Sequence, residues 1–186
     1  MSICTILAAV LGVVAILIWQ VYNRVIALDS RCEQAAADID VQIKHRHGLL
    51  PNLLEMVKGF AQHERDAIEK VTQARAAAVG AASPQARLLA ETTLGAGVQQ
   101  LLTIAETYPD IKASQHFREL RLEIADTENK LSAARRYLNA TVNEYNATLR
   151  QFPVNLLAGP LRLARRQFYD IGVERVLLDD APVLKM

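Results

Sequence analysis

The side chains able to do chemistry in this sequence are four histidines, two cysteines and a scatter of carboxylates. Their spacing decides what they can do together. Two imidazoles share a metal on one helix when they stand four residues apart on one face. His45 and His47 stand two apart and point to different sides. A di-iron carboxylate bundle needs Glu-x-x-His on two helices, yet none of His45, His47, His63 and His116 has a glutamate three residues before it. Cys4 and Cys32 form no C-x-x-C pair, and Cys4 falls in an apolar run. The pairs Asp38/Asp40, Glu119/Glu123 and Asp126/Glu128 fit ordinary helix surface charge. Spacing assembles no Ser, His and acid constellation. Gly95 and Gly97 lack the strand and spacing of a phosphate loop and read as a close packing point or a weak spot in a helix. The expectation is a protein with no catalytic residue, no metal and no cofactor, and not an enzyme. His45-Arg46-His47 reads as a solvated or juxtamembrane polar face.

Polar residues beside apolar stripes are more informative. Asn52 follows Gly48 and Pro51, while Asn139, Asn143 and Asn146 run along one helix near Arg135 and Tyr145. Buried amides must find partners, and a satisfied network fixes register between helices. These residues are expected to form a polar network that pins a bundle. A ligand pocket between helices is the sharper alternative.

The elements that must position them are long helices. Phe117, Ile124, Leu131, Leu138, Tyr145 and Phe152 recur every seven residues, and Leu120, Thr127, Ala134, Thr141 and Thr148 fill a smaller, more polar second row. A seven-residue period keeps one seam facing a neighbour. Leu50, Leu54, Val57, Ala61, Ile68 and Val71 make another stripe, within helix expected to continue to Ala81–Pro84. Gly48 and Pro51 should kink or interrupt it, because proline removes a backbone donor and crowds the preceding turn. Ser83-Pro84 starts the next helix, which should run to about Thr107. The last helix is expected to stop at Phe152-Pro153.

From Ile3 to Trp19 the chain carries no charge. About 20 apolar residues cross a hydrocarbon core of roughly 30 Å, and Ile3 to Tyr22 reaches that length. Trp19 and Tyr22 fall where aromatics anchor a span, and Arg24 is the first charge. A cleavable signal peptide would want a basic start, which is absent here. Arg24, Arg31, Lys44 and Arg46 follow the run, so the positive-inside rule puts the N-terminus outside and the bulk in the cytoplasm. Ala8 and Gly12 stand in small-xxx-small spacing, a pattern that chance also produces. The expected organisation is an anchor over 1–23, a helical bundle over 24–152 and a basic, apolar tail over 153–186.

In that tail no acid occurs from Pro153 to Tyr169, and Arg162, Arg165 and Arg166 alternate with Leu161, Leu163 and Phe168. Such a stretch suits an anionic membrane interface. The plainer alternative is a segment that packs on the bundle and exposes its arginines. From Asp170 onward the tail should be poorly ordered.

Composition agrees with helices. The 186 residues include 28 alanines and 25 leucines, with 5% aromatic residues and only 8 glycines and 6 prolines. With 21 basic and 20 acidic residues the chain lacks the basic field of a nucleic-acid binder. Two cysteines are too few for a disulfide framework.

Three blocks carry a family resemblance. Asp38–Glu64 reads DIDVQIKHRHGLLPNLLEMVKGFAQHE, Tyr108–Ala113 reads YPDIKA and is followed by Phe117, and Thr127–Asn146 reads TENKLSAARRYLNATVNEYN and closes on Phe152-Pro153. In this order they resemble the LemA family and cover nearly everything after the anchor. Departures are a missing aromatic near Ala36, His45-Arg46 in place of an Arg-Arg pair, Gly48 in place of Asp or a similar residue, and Leu138 in place of Tyr or Phe. The resemblance implies an N-terminal anchor and a cytoplasmic bundle of long helices. It says little of activity, although relatives in magnetotactic bacteria are associated with forming magnetosome membranes.

The expectation is therefore an all-α protein of the inner membrane. An N-terminal transmembrane helix precedes an antiparallel bundle of long helices, one of them kinked near Gly48–Pro51. Its expected partners are membrane lipid, further copies of itself in a homo-oligomeric scaffold, and no nucleic acid. An adaptor that offers a groove to an unidentified protein partner is the alternative.

Overall fold

The computed structural model describes residues 3–60 and 64–169. Its first helix, α1 (Ile3–Phe60), begins in the apolar run and continues without interruption into charged sequence. No residue of its most apolar window is buried, and that stretch is long and apolar enough to cross a membrane. Beyond Arg24 one row turns inward at spacings of three and four: Val25, Leu28, Cys32, Ala35, Ile39 and Ile43 are all buried. Four more helices follow: α2 (Arg65–Val79), α3 (Pro84–Glu106), α4 (Pro109–Ala113) and α5 (Gln115–Thr148). A single turn, α6 (Val154–Leu157), comes last. No strand occurs among the described residues.

The chain divides into two compact units. One combines residues 1–39 and 133–186, and the other holds 40–132. In the second unit α2 and α3 are joined by Gly80–Ser83 and pack against each other. Short connections make antiparallel neighbours. Ser83 caps α3, its Oγ accepting from the Ala86 amide at 3.1 Å, with Pro84 in the first turn where a missing N–H is harmless. Gly97 permits the close approach, since a Cβ there would lie 3.0 Å from Cγ2 of Val71. A core of Leu50, Leu53, Val57, Val71, Leu94, Val98, Leu101, Ile111, Phe117 and Ile124 fills this unit.

In the first unit the α1 row from Val25 to Ile39 is buried, as are Leu138, Val142 and Tyr145 of α5 and Leu149 just past its end. Burial, and next the negative charge of Asp29, push the Tyr145 hydroxyl above its ordinary range. After α5 the chain turns through α6 and returns as an extended segment up to Tyr169. Arg162 takes a φ of 53° in that turn, a left-handed conformation that costs an L-residue roughly 1–2 kcal/mol.

Several boundaries differ from the expectation. Of the kink or interruption expected at Gly48–Pro51, the interruption does not occur: α1 carries Pro51 in its interior and ends at Phe60. Pro51 is exposed, and within the helix the carbonyl that loses its partner is that of His47. The stripe from Leu50 to Val71 is not one helix, because α2 starts afresh at Arg65. Tyr108-Pro109-Asp110 does more than close α3: it starts α4. Finally, α5 stops at Thr148, so Phe152 lies beyond it and is 79% exposed. His63 and the tail beyond Tyr169 lie outside the described residues.

Candidate functional site

The second unit holds a charge at a position that its helix otherwise fills with hydrocarbon. Along α1 the inward row runs Ile39, Ile43, Arg46, Leu50, Leu53 and Val57, and Arg46 is 1% exposed. Its guanidinium meets three acceptors. Nη2 donates to the Glu91 Oε2 carboxylate oxygen and, at 3.2 Å, to the Glu91 backbone carbonyl. Nη1 donates to Oε2 of Glu128 at 3.1 Å. Glu91 comes from the inward row of α3, ahead of Leu94, Val98, Leu101 and Ala105, and is also 1% exposed. Glu128 comes from α5 and keeps about a third of its side chain in solvent. Gly95 makes room for the guanidinium: a Cβ there would stand 3.3 Å from Nη1.

His47 adds a fourth member, its Nε2 lying 3.0 Å from Oε1 of Glu91. The pair is close without being well directed, and neither atom has another hydrogen-bond partner. Burial alone raises the Glu91 carboxyl. The nearby His47 ring and the Arg46 charge outweigh it, so the group sits below the ordinary carboxylate range. His45, beside them, is half-exposed: Nδ1 is 3.1 Å from Oγ1 of Thr127 and Nε2 is 3.3 Å from Oε1 of Glu123. Thr127 itself is fully buried and donates to the Glu123 carbonyl.

This arrangement corrects the reading of His45-Arg46-His47 as a solvated face, since Arg46 is the largest fully buried side chain among the described residues. A signal was present. Arg46 and Glu91 each occupy an apolar-row position, where an unpaired charge would be prohibitive. One arginine fork shared by two carboxylates from other helices fixes how those helices meet. Among the described residues, no group of three or more His, Cys, Asp and Glu side chains is placed to hold a metal ion.

A second constellation lies in the first unit. Asn146 on α5 donates from Nδ2 to the Arg166 carbonyl at 2.9 Å, and its Oδ1 accepts from the Arg166 amide at 3.0 Å. Asn139, seven residues earlier on the same face, repeats the pattern on Tyr169, with both bonds at 2.8 Å. Between them the Tyr145 hydroxyl donates to the Ala164 carbonyl at 3.1 Å. The Arg135 guanidinium lies 5.4 Å from the centre of the Tyr169 ring. The extended return segment is thus clamped onto α5 through its backbone.

Other singled-out residues fall elsewhere. Asn143 and Asn52 are exposed and outside these hydrogen bonds, and so is Gly48. Phe117, Ile124, Leu131 and Leu138 are buried, whereas Phe152 is not. Trp19, Tyr22 and Arg24 are exposed on α1. Of the three tail arginines, Arg162 and Arg165 are exposed. Arg166 is engaged instead: Nε donates to Asp29 at 2.6 Å and Nη2 to Glu33 at 3.0 Å. The Asp29 hydrogen bond raises its already high pKa further, against the effect of burial.

These features define an all-helical protein whose first helix carries a membrane-length apolar stretch ahead of a buried ionic cluster. The chain belongs to the LemA family, whose profile matches residues 35–182. It is 25% identical over 163 residues to protein LemA of Metamycoplasma hominis, covering 84% of this chain and 73% of that protein. Magnetosome protein MamQ of Magnetospirillum gryphiswaldense is 21% identical over 163 residues, covering 74% of this chain and 60% of that protein. Magnetosome protein MamQ 1 of Paramagnetospirillum magneticum is 21% identical over 174 residues, with 80% and 64% covered. The chain therefore spans less than two thirds of either magnetosome relative.

Proposed function

We propose that this protein is a single-pass membrane anchor carrying a helical scaffold that associates with further copies of itself to organise membrane. The observation that carries the anchoring is the uncovered apolar stretch of α1: no residue of its most apolar window is buried. A hydrocarbon surface of that length needs lipid around it. Flanking arginines favour an inner-membrane topology with the helices in the cytoplasm. Similarity to two magnetosome proteins supports a role at a membrane.

Leu131, Leu138 and Tyr145 are buried in the single chain, so copies would meet through other surfaces. Weak contacts between many anchored copies gain strength from multivalency. No catalytic step is assigned to the protein. The adaptor reading has one observation in its favour, a groove of about 450 Å³ along α2 and α3 lined by Gln73, Ala74, Ala77, Ala96 and Gly97.

Mass and shape of the full-length protein in mild detergent separate the two. Light scattering and negative-stain imaging should show a discrete large assembly. A monodisperse monomer across concentrations would remove self-association and leave the groove as the surface to pursue.

A further inference from the structure

The turn between α5 and the clamped segment exposes three large apolar side chains: Phe152 at 79%, Leu156 at 65% and Leu161 at 41%. Soluble surfaces tolerate such residues singly, but three within one short turn whose flanking sequence is basic suit a contact with an apolar phase. Leu161 shares a cleft with Ala15, Ile18, Trp19 and Tyr22 of α1. Those four residues span about 10 Å at the end of the apolar run, just before the first charge at Arg24. The turn therefore stands at the height where α1 would leave the hydrocarbon.

Its backbone is suited to a poorly hydrated place. The amides of Asn155, Leu156, Ala158, Leu161, Arg162 and Leu163 all bond to carbonyls within the turn, at 2.8–3.2 Å, and Pro153 and Pro160 have no amide hydrogen to satisfy. The charge carried by the turn's own sequence has one sign. Arg150, Arg162 and Arg165 are exposed, and no acid lies between Phe152 and Tyr169. Arg166 is excluded from this set by its ion pairs with Asp29 and Glu33.

We infer that Phe152–Arg162 is a second membrane contact. It lowers Phe152, Leu156 and Leu161 into the headgroup–acyl boundary of the leaflet that α1 leaves, while Arg150 and Arg162 meet anionic headgroups. The inference rests on α1 spanning the bilayer. Together the span and the turn would hold the protein at two points, fixing its rotation about α1 as a single helix cannot.

The test uses full-length protein in phosphatidylcholine vesicles with and without phosphatidylglycerol. Leu156→Cys in a Cys4→Ser background is labelled with a polarity-sensitive fluorophore, while burial keeps the remaining Cys32 thiol above its ordinary pKa and out of reach. Gln73→Cys serves as the exposed control, and the lone tryptophan, Trp19, reports on the anchor. Shallow brominated lipids should quench Trp19 and the Leu156 probe but not the Gln73 probe. Emission from the Leu156 probe should be blue-shifted. Arg150→Glu with Arg162→Glu should lower its quenching in anionic vesicles to the level seen in phosphatidylcholine alone.

A water-like, unquenched Leu156 probe beside a quenched Trp19 overturns the second contact and leaves the anchor standing. Loss of quenching at both sites overturns the anchor and the contact together. A blue-shifted probe that lipid does not quench means that protein, such as a second copy, covers the patch, which also overturns the inference. Unchanged quenching in the double charge reversal overturns the headgroup role of the arginines.

Discussion

Arg46 and Glu91 bury opposite charges against each other from α1 and α3, each with a side chain only 1% exposed. Desolvating such a pair is expensive, and its return comes from geometry more than from net stability. Glu128 and His47 complete the coordination.

Removing one partner should be far worse than removing both. Glu91→Ala is expected to cost about 3–5 kcal/mol, because Arg46 stays buried with only the partly exposed Glu128 to balance it. Arg46→Met combined with Glu91→Leu should recover most of that loss. Chemical denaturation of the full chain in detergent, followed by helical circular dichroism, reads both values. A double variant as unstable as the single one would refute the desolvation argument.

Acid should weaken the second unit. The Glu91 carboxyl is held below its ordinary value near 4.5 in the folded protein, so the unfolded chain binds its proton first as pH falls. Its contribution is complete above about pH 4.5 and declines as pH drops through that value towards the folded pKa. Glu91→Gln should flatten this part of the stability–pH curve, measured by thermal melts between about pH 3 and about pH 6, the range over which carboxylates titrate.

Asn146→Ala should release the return segment without melting α5. Both backbone groups of Arg166 lose their partner, and leaving such groups unsatisfied costs about 1–3 kcal/mol. Hydrogen exchange at the Arg166 amide should speed up accordingly, with amides near Leu131 unchanged. Equal acceleration throughout α5 would show that the clamp is not a local device.

Two members of the same sequence row should behave oppositely. Leu131→Asp places a charge at a fully buried site and should unfold the bundle, whereas Phe152→Asp at a 79% exposed site should leave its melting temperature nearly unchanged. Comparable destabilisation by both would mean that Phe152 is covered in solution.

Much of this fold can be read from periodicity. Phe117, Ile124, Leu131 and Leu138 mark the buried side of α5, and Ser83-Pro84 marks the start of α3 at the right residue. The membrane-length run is visible as composition. What periodicity hides is polarity in register: Arg46 and Glu91 lie on the inward rows, but hydrophobicity alone makes them look like gaps. Pro51 illustrates the converse: a residue type that suggests a kink or an interruption sits on an exposed face of a helix that continues past it. The asparagines were recognisable as unusual, yet which backbone they hold depends on a chain reversal that no local pattern encodes.

Asn139 and Asn146 recognise main chain, so what they hold is indifferent to spelling. The two asparagines would grip any residue with an amide and a carbonyl at 166 or 169, while the Arg166 ion pairs and the Arg135–Tyr169 contact add holds that do depend on side chains. The outward side chains of Arg165, Gln167 and Phe168 are exposed and carry none of that grip. The strap can therefore be rewritten over evolutionary time, exchanging one surface chemistry for another, while its path along the helix stays the same.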